Sequence, residues 1–138
     1  MKIVLDTNVL LTCISERSTI HDIFARFIEE KYTLCVTNEI LFEYEEIISK
    51  HLGTETANYV LETLINAPNL ERVVVDFYWN YIQTDPDDNK FVDCAFAANA
   101  KCIVSEDKHF KVLKTIPFPK ITVLNAQEFI EVLKSPHS

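Results

Sequence analysis

The chain is short of the residues that form flexible linkers and covalent crosslinks. Its 138 residues include a single glycine, so little of the sequence suits a flexible linker. No apolar run approaches the length of a membrane span, and the N-terminus lacks the layout of a signal peptide. The four cysteines show no CxxC spacing and sit in apolar stretches, which favours buried free thiols over disulfides or a zinc site. These absences predict one cytoplasmic domain, residues 1–138, with no membrane association.

Positive charge is also scarce. The formal net charge is −8, which at first argues against a nucleic-acid partner. The deficit is uneven, however, because residues 101–138 carry six lysines against four acids. Lys108, Lys111 and Lys114 lie close together in this segment, where they would suit an RNA backbone, although a solvated surface explains such a run more often.

Short apolar segments alternate with amphipathic ones along the chain. The short segments suit strands buried on both faces, and the longer ones place apolar residues on one helical stripe. Five strands are predicted, at residues 3–5, 33–36, 73–75, 102–104 and 121–124. Strands separated by helices imply right-handed crossovers. The predicted fold class is therefore α/β, a three-layer α/β/α sandwich around a five-stranded parallel sheet.

Asp6 ends the first apolar segment, residues 3–5, and is followed by Thr7 and Asn8. We expect Thr7 or Asn8 to cap a helix with its side-chain oxygen. Asp6 would then stand at the carboxyl end of an inner strand, where open α/β sheets hold their ligands. A cap or turn acid would occupy the same position, and this motif alone does not decide between the two.

Further acids follow the second strand and precede the fourth. Glu43 and Glu45 flank opposite edges of the apolar stripe of one helix, and periodicity does not choose between them. Asp88 lies in an acidic turn, where helix capping alone would account for it. Asp93 is the only charged residue of the small and apolar helix at 91–100. A buried carboxylate there needs a salt-bridge partner or a metal.

Asp107 lies just past the fourth strand, as Asp6 lies past the first. If these two strands are neighbours, their loops open into one crevice. Carboxylates that meet in a crevice repel each other unless a cation joins them. Oxygen ligands without accompanying His or Cys select Mg²⁺ or Mn²⁺, which activates water and neutralises charge on a phosphoryl group. The residues thus predict metal-dependent hydrolysis of a phosphoester.

The ordered motifs resemble those of the PIN domain nucleases. They are LDTNVLL at residues 5–11, Glu43, DPDDNKFVDCA at residues 85–95 and IVSEDKHF at residues 103–110. The closer resemblance is to the bacterial and archaeal branch of toxins from toxin–antitoxin pairs, related to VapC-type ribonucleases.

The resemblance implies a sheet in the order 3-2-1-4-5 and an endoribonuclease acting on single-stranded RNA. Mg²⁺ or Mn²⁺ would be the cofactor, an antitoxin protein a partner, and a homodimer the frequent assembly. Its catalytic, metal-binding acids fall on four residues of this chain: Asp6, Glu43, Asp93 and Asp107. Asp88 would be an additional metal-binding acid, and Asn8 and Ser105 would orient ligands or water.

Two departures from this branch stand beside Asp107. Glu106 replaces a glycine, which would crowd the backbone or provide a further ligand, and His109 replaces a second aspartate. If that aspartate helps to hold a second metal ion, this protein would hold only one. His109 lies near the predicted site, where an imidazole can contact phosphate, although most histidines in such positions do not.

Two other functions fit the same sequence. One is a catalytically weak or inactive module of the same fold that binds RNA or a protein. The other is a small-molecule phosphatase or phospho-receiver domain, which needs an aspartate nucleophile and a supporting lysine that the sequence does not place. The aromatic residues at 77–81 would suit base stacking, although core or interface packing explains them more often.

Overall fold

The computed structural model describes residues 1–83, 85–117 and 119–135. Within these ranges five strands are present: β1 Lys2–Leu5, β2 Thr33–Val36, β3 Leu70–Arg72, β4 Cys102–Val104 and β5 Thr122–Leu124. The α-helices of the same ranges are α1 Thr7–Cys13, α2 Asp22–Ile28, α3 Asn38–Leu52, α4 Thr54–Asn66, α5 Asn89–Ala98 and α6 Ala126–Lys134. Two 3₁₀ segments, Pro86–Asp88 and Lys108–Thr115, precede α5 and β5.

The strands form one parallel sheet in the order β3-β2-β1-β4-β5. This confirms the α/β class and the strand order. The chain builds the sheet outward from β1 to β3 and then returns to the other side of β1 with β4. Such a reversal leaves a crevice at the carboxyl ends of the two adjacent strands. Leu5 of β1 pairs with Val104 of β4, so the residues after them begin side by side.

Both faces of the sheet are covered. Ile3, Val4 and Leu5 of β1 are at most 1% exposed. Successive side chains of a strand point to opposite faces, so burial of all three requires helices on each side. One of the covering helices is α5, which packs across β1, β2 and β4. The core therefore holds the carboxyl end of β1 in a fixed place.

The third strand lies three residues before its predicted position. The apolar pattern predicts it at residues 73–75, but the strand is Leu70–Arg72. As an edge strand it pairs only with β2, so polar side chains are tolerated: Glu71 forms a salt bridge to Lys2 at 3.1 Å. Val73 adds one more backbone hydrogen bond to β2, and Val74 is 81% exposed.

Helix lengths in the described residues run from seven to fifteen, and none of these helices is both long and apolar enough to cross a membrane. The longest helix, α3, begins at Thr37, whose hydroxyl accepts a hydrogen bond from the Ile40 amide at 3.1 Å. It ends at Gly53, where a φ of +92° suits the one glycine of the chain. Its first turns stand beside the carboxyl ends of β1 and β2.

Candidate metal centre

Asp6 and Ser105 meet where β1 and β4 end. The Ser105 hydroxyl donates to Asp6 Oδ2 at 2.7 Å and accepts from the Asp107 amide at 2.9 Å. The Asp6 amide in turn donates to the Val104 carbonyl at 3.0 Å. These bonds link Asp6, Ser105 and Asp107 into one rigid unit at the crevice.

The Asp6 carboxylate stands in surroundings that oppose its ionisation. Asp6 is 5% exposed, and its burial raises the pKa of the carboxyl above its usual range. The hydrogen bond from Ser105 lowers the pKa, while the negative charges of Asp107 and Glu43 raise it further. The net effect raises the pKa of Asp6. A cation bound beside Asp6 would act in the opposite direction and favour the ionised carboxylate.

Thr7 does not have the predicted capping role. The helix α1 starts after Asp6 with no side-chain hydrogen bond at its cap, and Thr7 is already its first residue. The Thr7 hydroxyl instead donates to Glu43 Oε2. Thr7 thereby ties α1 to α3, a contact between distant segments that local sequence rules do not address. The other expected cap residue, Asn8, is exposed beside Glu106 and Ala126.

The structure distinguishes the two glutamates that periodicity left open. Glu43 is half-buried and faces Thr7, whereas Glu45 is exposed to solvent. The second oxygen of Glu43, Oε1, lies 2.7 Å from Lys90 Nζ. Glu43 is thus the glutamate of α3 that the fold turns toward the crevice.

Lys90 is a site residue that the sequence analysis missed. Its side chain is 5% exposed, and its ammonium contacts Glu43 Oε1, Asp87 Oδ2 and the Asp87 carbonyl at 2.7, 2.7 and 2.8 Å. Burial lowers the pKa of Lys90, but the hydrogen bonds with Asp87 and Glu43 outweigh it, so the net direction is upward. The available signal was a lysine in the first turn of a helix whose only other charged residue is Asp93.

Asp88 lies with His109 and Asp85 in a second part of the same cleft. Oxygen or nitrogen atoms of the three side chains all fall within 4.8 Å of one another. His109 Nδ1 is 3.3 Å from Asp88 Oδ2 and 3.8 Å from Asp85 Oδ2. The Asp88 side chain makes no capping bond to α5, so helix capping does not account for it.

The pKa of Asp88 is raised to about 6. Burial is the main cause, followed by the charge of Asp85. The hydrogen bond with His109 acts in the opposite direction, while Asp107 and Asp6 add to the increase. Because these charges act on Asp88 together, it shares the electrostatic environment of the acids after β1 and β4.

Asp107 connects the two parts of the cleft. Its Oδ1 accepts from the His109 amide at 2.8 Å and lies 3.3 Å from His109 Nδ1. The first bond caps the 3₁₀ segment Lys108–Thr115. The structure therefore brings Asp6, Asp88 and Asp107 to one cleft. Glu43 lies at the edge of this cleft, in contact with Lys90.

Asp93 is not brought to this cleft. Its carboxylate accepts from the Trp79 amide at 2.9 Å and lines a hollow with Val73 and Val75. The sequence correctly marked a buried acid in α5, at 3% exposure. The partner that the structure shows is a backbone N–H of the segment after β3, which satisfies one oxygen of this carboxylate. An ion shared by Asp93 and Asp6 stays a prediction.

Glu106 is exposed and lines the hollow beside Asp107. Its Oε1 accepts from the Ala126 amide at 2.7 Å, at the start of α6. The aromatic segment at residues 77–81 is also separate: Phe77 and Tyr78 are 62% and 66% exposed, while Trp79 packs on Phe96 at 4.9 Å between ring centroids. Base stacking by this segment stays a prediction.

Three exposed lysines flank Asp107. Lys108, Lys111 and Lys114 line a hollow of about 260 Å³ that also includes Ser105 and Asp107. They place positive charge beside Asp107, in a hollow that Glu106 and Glu128 also line. This arrangement suits a polyanion whose backbone passes beside Asp107.

The donor atoms of the cleft fit a divalent cation. Carboxylate oxygens prefer Mg²⁺ or Mn²⁺, and the imidazole of His109 is a ligand that suits transition metals better than Mg²⁺. Burial and, to a smaller extent, the neighbouring acids raise the pKa values of Asp6 and Asp88, and such an ion would offset both effects.

Comparisons with known proteins agree with this description. Residues 2–109 match the family model described as PIN domain. Among curated proteins, none matches the sequence.

Several solved structures have a similar fold. VapBC2 from Rickettsia felis, bound to a promoter DNA fragment, has a TM-score of 0.61 at 20% identity, over 91% of this chain and 98% of that chain. VapC20 from Mycobacterium tuberculosis, described as a Sarcin-Ricin loop cleaving toxin, has a TM-score of 0.58 at 14% identity, over 79% and 92%. DNA-bound VapBC from Salmonella typhimurium has 0.57 at 19%, over 91% and 98%. At these identities the likeness concerns the fold alone.

Proposed function

This chain belongs to the PIN domain family, and on that premise we propose that it is a metal-dependent endoribonuclease that hydrolyses phosphodiester bonds of single-stranded RNA. The observation that supports the proposal most is the meeting of Asp6, Asp88 and Asp107 at the carboxyl ends of β1 and β4. Ser105 links two of these acids through its hydroxyl.

The acidic site of the proposal consists of Asp6, Asp88 and Asp107, and Glu43 borders it, held by Lys90 and Thr7. Asp88 takes the place that the sequence analysis gave to Asp93, because Asp88 shares the charge environment of Asp6 and Asp107. Bound Mg²⁺ or Mn²⁺ would lower the pKa of a water molecule and neutralise charge on the scissile phosphate.

The other residues of the cleft would serve the substrate. Ser105 orients the Asp6 carboxylate and the backbone of Asp107. Lys108, Lys111 and Lys114 line one hollow with Asp107, and their ammonium groups would bind the RNA backbone there. Asn8, exposed near Glu106, would contact the substrate or water.

We further propose that the protein is the toxin of a toxin–antitoxin pair. The support is its similarity in fold to VapBC structures from two bacteria. On this proposal residues 1–138 form one cytoplasmic domain that pairs with an antitoxin and with a second copy of itself. Induced expression of the wild-type chain would arrest growth, and expression of Asp6→Asn would not.

The chemical test is cleavage of single-stranded RNA by the purified protein with Mg²⁺, Mn²⁺ or EDTA. Asp6→Asn, Asp88→Asn and Asp107→Asn should each reduce the rate by on the order of 100-fold. Asp93→Asn is the matched control, since its amide oxygen still accepts from the Trp79 amide, and its rate should stay close to that of the wild type.

Two outcomes would contradict the proposal in different ways. Unchanged activity in Asp6→Asn or Asp107→Asn would exclude the metal-dependent mechanism. An equal loss in Asp93→Asn, with the protein still folded, would return Asp93 to the catalytic set, and unchanged activity in Asp88→Asn would remove Asp88 from it.

A binding module without catalysis is the second candidate function. The observation that favours it is the presence of internal cations: Lys90 contacts Glu43, and His109 lies beside Asp88 and Asp107. Calorimetry that shows RNA binding but no Mn²⁺ binding would support this function instead.

A further inference from the structure

Lys90 is buried in the acidic cleft with every hydrogen-bond donor of its ammonium used. An ammonium has three donors and no acceptor. Those of Lys90 are directed to Glu43 Oε1, Asp87 Oδ2 and the Asp87 carbonyl, all within 2.8 Å. A lysine whose side chain is 5% exposed and contacts two carboxylates is a buried structural residue rather than a solvated surface charge.

The position of Lys90 is fixed from its own helix. The preceding residue, Asn89, accepts from the Ile82 amide at 2.8 Å and donates to the Ile82 carbonyl at 2.7 Å, which anchors the start of α5. The Lys90 ammonium also lies 5.2 Å from the centroid of the Phe91 ring. The lysine therefore cannot leave Glu43 without loss of several favourable contacts.

Glu43 is already engaged through both of its oxygens. Oε1 contacts the Lys90 ammonium, and Oε2 accepts from the Thr7 hydroxyl. A divalent ion at Glu43 would have to stand beside a positive charge that shares the same carboxylate. Asp6, Asp88 and Asp107 have no such buried lysine among the contacts described for them.

We propose that Lys90 is a built-in cation that replaces a second divalent ion at Glu43, so that the site formed by Asp6, Asp88 and Asp107 binds a single divalent ion. This inference rests on the proposed function, because it specifies how many ions that acidic site holds. Lys90 is a positioning residue here: it acts on the site through Glu43.

The test is the number of Mn²⁺ ions bound per chain, measured by calorimetric titration of the whole protein without RNA. The wild type should bind one. Lys90→Met keeps the unbranched stem near Phe91 but removes the charge, and it should bind two. Lys90→Arg keeps the charge and should bind one, and so should Lys101→Met, the matched change at an exposed lysine.

A double variant locates the second ion. Lys90→Met with Glu43→Gln removes both charges of the pair and should return the count to one. If Lys90→Met does not fold, Glu43→Gln alone still tests the inference. It should bind one Mn²⁺ with an affinity within about threefold of the wild type, since Glu43 is not a ligand of the single ion. Circular dichroism checks that each variant is folded.

The outcomes separate the two proposals. One ion in folded Lys90→Met, or a tenfold loss of affinity in Glu43→Gln, would overturn the role of Lys90 while leaving a metal-dependent nuclease intact. Two ions in the wild type would also overturn it. No Mn²⁺ bound by the wild type would overturn the metal centre itself, and the role of Lys90 with it.

Discussion

Asp88 shows how a single carboxylate is altered by its neighbours. It lies in the acidic turn at residues 85–88, where Asp85 and Asp88 both face His109. Asp87 contacts Lys90, which lowers the pKa of Asp87, whereas burial and nearby acids raise the pKa of Asp88 to about 6. Adjacent residues of one acidic turn thus have opposite electrostatic roles, one in structure and one in the proposed chemistry.

The raised pKa of Asp88 predicts a pH-dependent gain of stability in Asp88→Asn. The usual value is 3.8, so the folded protein holds this proton more tightly than the unfolded chain does. The stabilising contribution is fully present below about pH 4 and is lost as the pH rises through about 6. At pH 7.5 in EDTA, Asp88→Asn should therefore raise the free energy of unfolding by about 1 to 3 kcal/mol.

Thermal and urea unfolding at pH 7.5 and pH 4.5 measure this effect. The gain in Asp88→Asn should shrink at pH 4.5, where the wild-type Asp88 is already protonated in the folded state. Asp76→Asn, at an exposed aspartate, is the matched control and should show no such difference. A destabilised Asp88→Asn at pH 7.5 would contradict the proposed electrostatic crowding.

Glu106 illustrates a role that belongs to a whole element. The sequence left two possibilities for it, crowding beside Asp107 or a further ligand, yet its carboxylate caps α6 through the Ala126 amide. We expect Glu106→Ala to lower the free energy of unfolding by about 1 kcal/mol, as loss of a helix cap does. Its Mn²⁺ affinity should not change.

Urea unfolding and Mn²⁺ calorimetry on the same preparation test both parts. Glu106→Gln keeps an acceptor oxygen and should recover most of the stability. A drop in Mn²⁺ affinity in both variants would show that Glu106 serves as a ligand after all.

Elements were predictable from the sequence where burial decides them. The runs at β2 and β4 are apolar, buried on both faces and matched residue for residue. The edge strand β3 was misplaced, because with one neighbour it needs no continuous apolar run. The pattern at residues 73–75 is more apolar than the strand itself, although Val74 is 81% exposed.

Contacts between distant elements were harder to predict. The anomaly of Asp93 in an apolar helix was correctly seen, but its partner is a backbone amide in a segment without periodicity. Thr7 and Lys90 both contact Glu43, which lies on a different helix, α3. Local rules for caps and helix faces do not predict contacts between separate elements. The acids after β1 and β4 were predictable because parallel strands end at one edge of a sheet.

The charge of the whole molecule is unevenly distributed. It carries a net charge of −8, so most of its surface repels RNA. The lysines at 108, 111 and 114 line the hollow beside Asp107, where an RNA backbone would pass in the proposed function. An acidic protein with one basic rim restricts the productive approach of a polyanion to that side.

This charge separation predicts the salt dependence of RNA binding. In an Asp6→Asn background, which prevents cleavage, the logarithm of the RNA association constant should fall linearly with the logarithm of the salt concentration. Each single-strand phosphate contact contributes a slope of about −0.7. Changing Lys108, Lys111 and Lys114 together to Gln should make the slope shallower by roughly 2 if all three contact phosphates. Fluorescence anisotropy with a labelled RNA at several salt concentrations measures this slope.

The control set, Lys31, Lys50 and Lys134 changed to Gln, lowers the net charge equally from positions beyond the cleft rim. Equal slopes for the two triple variants would show that only net charge matters, and the rim would then have no part in holding RNA.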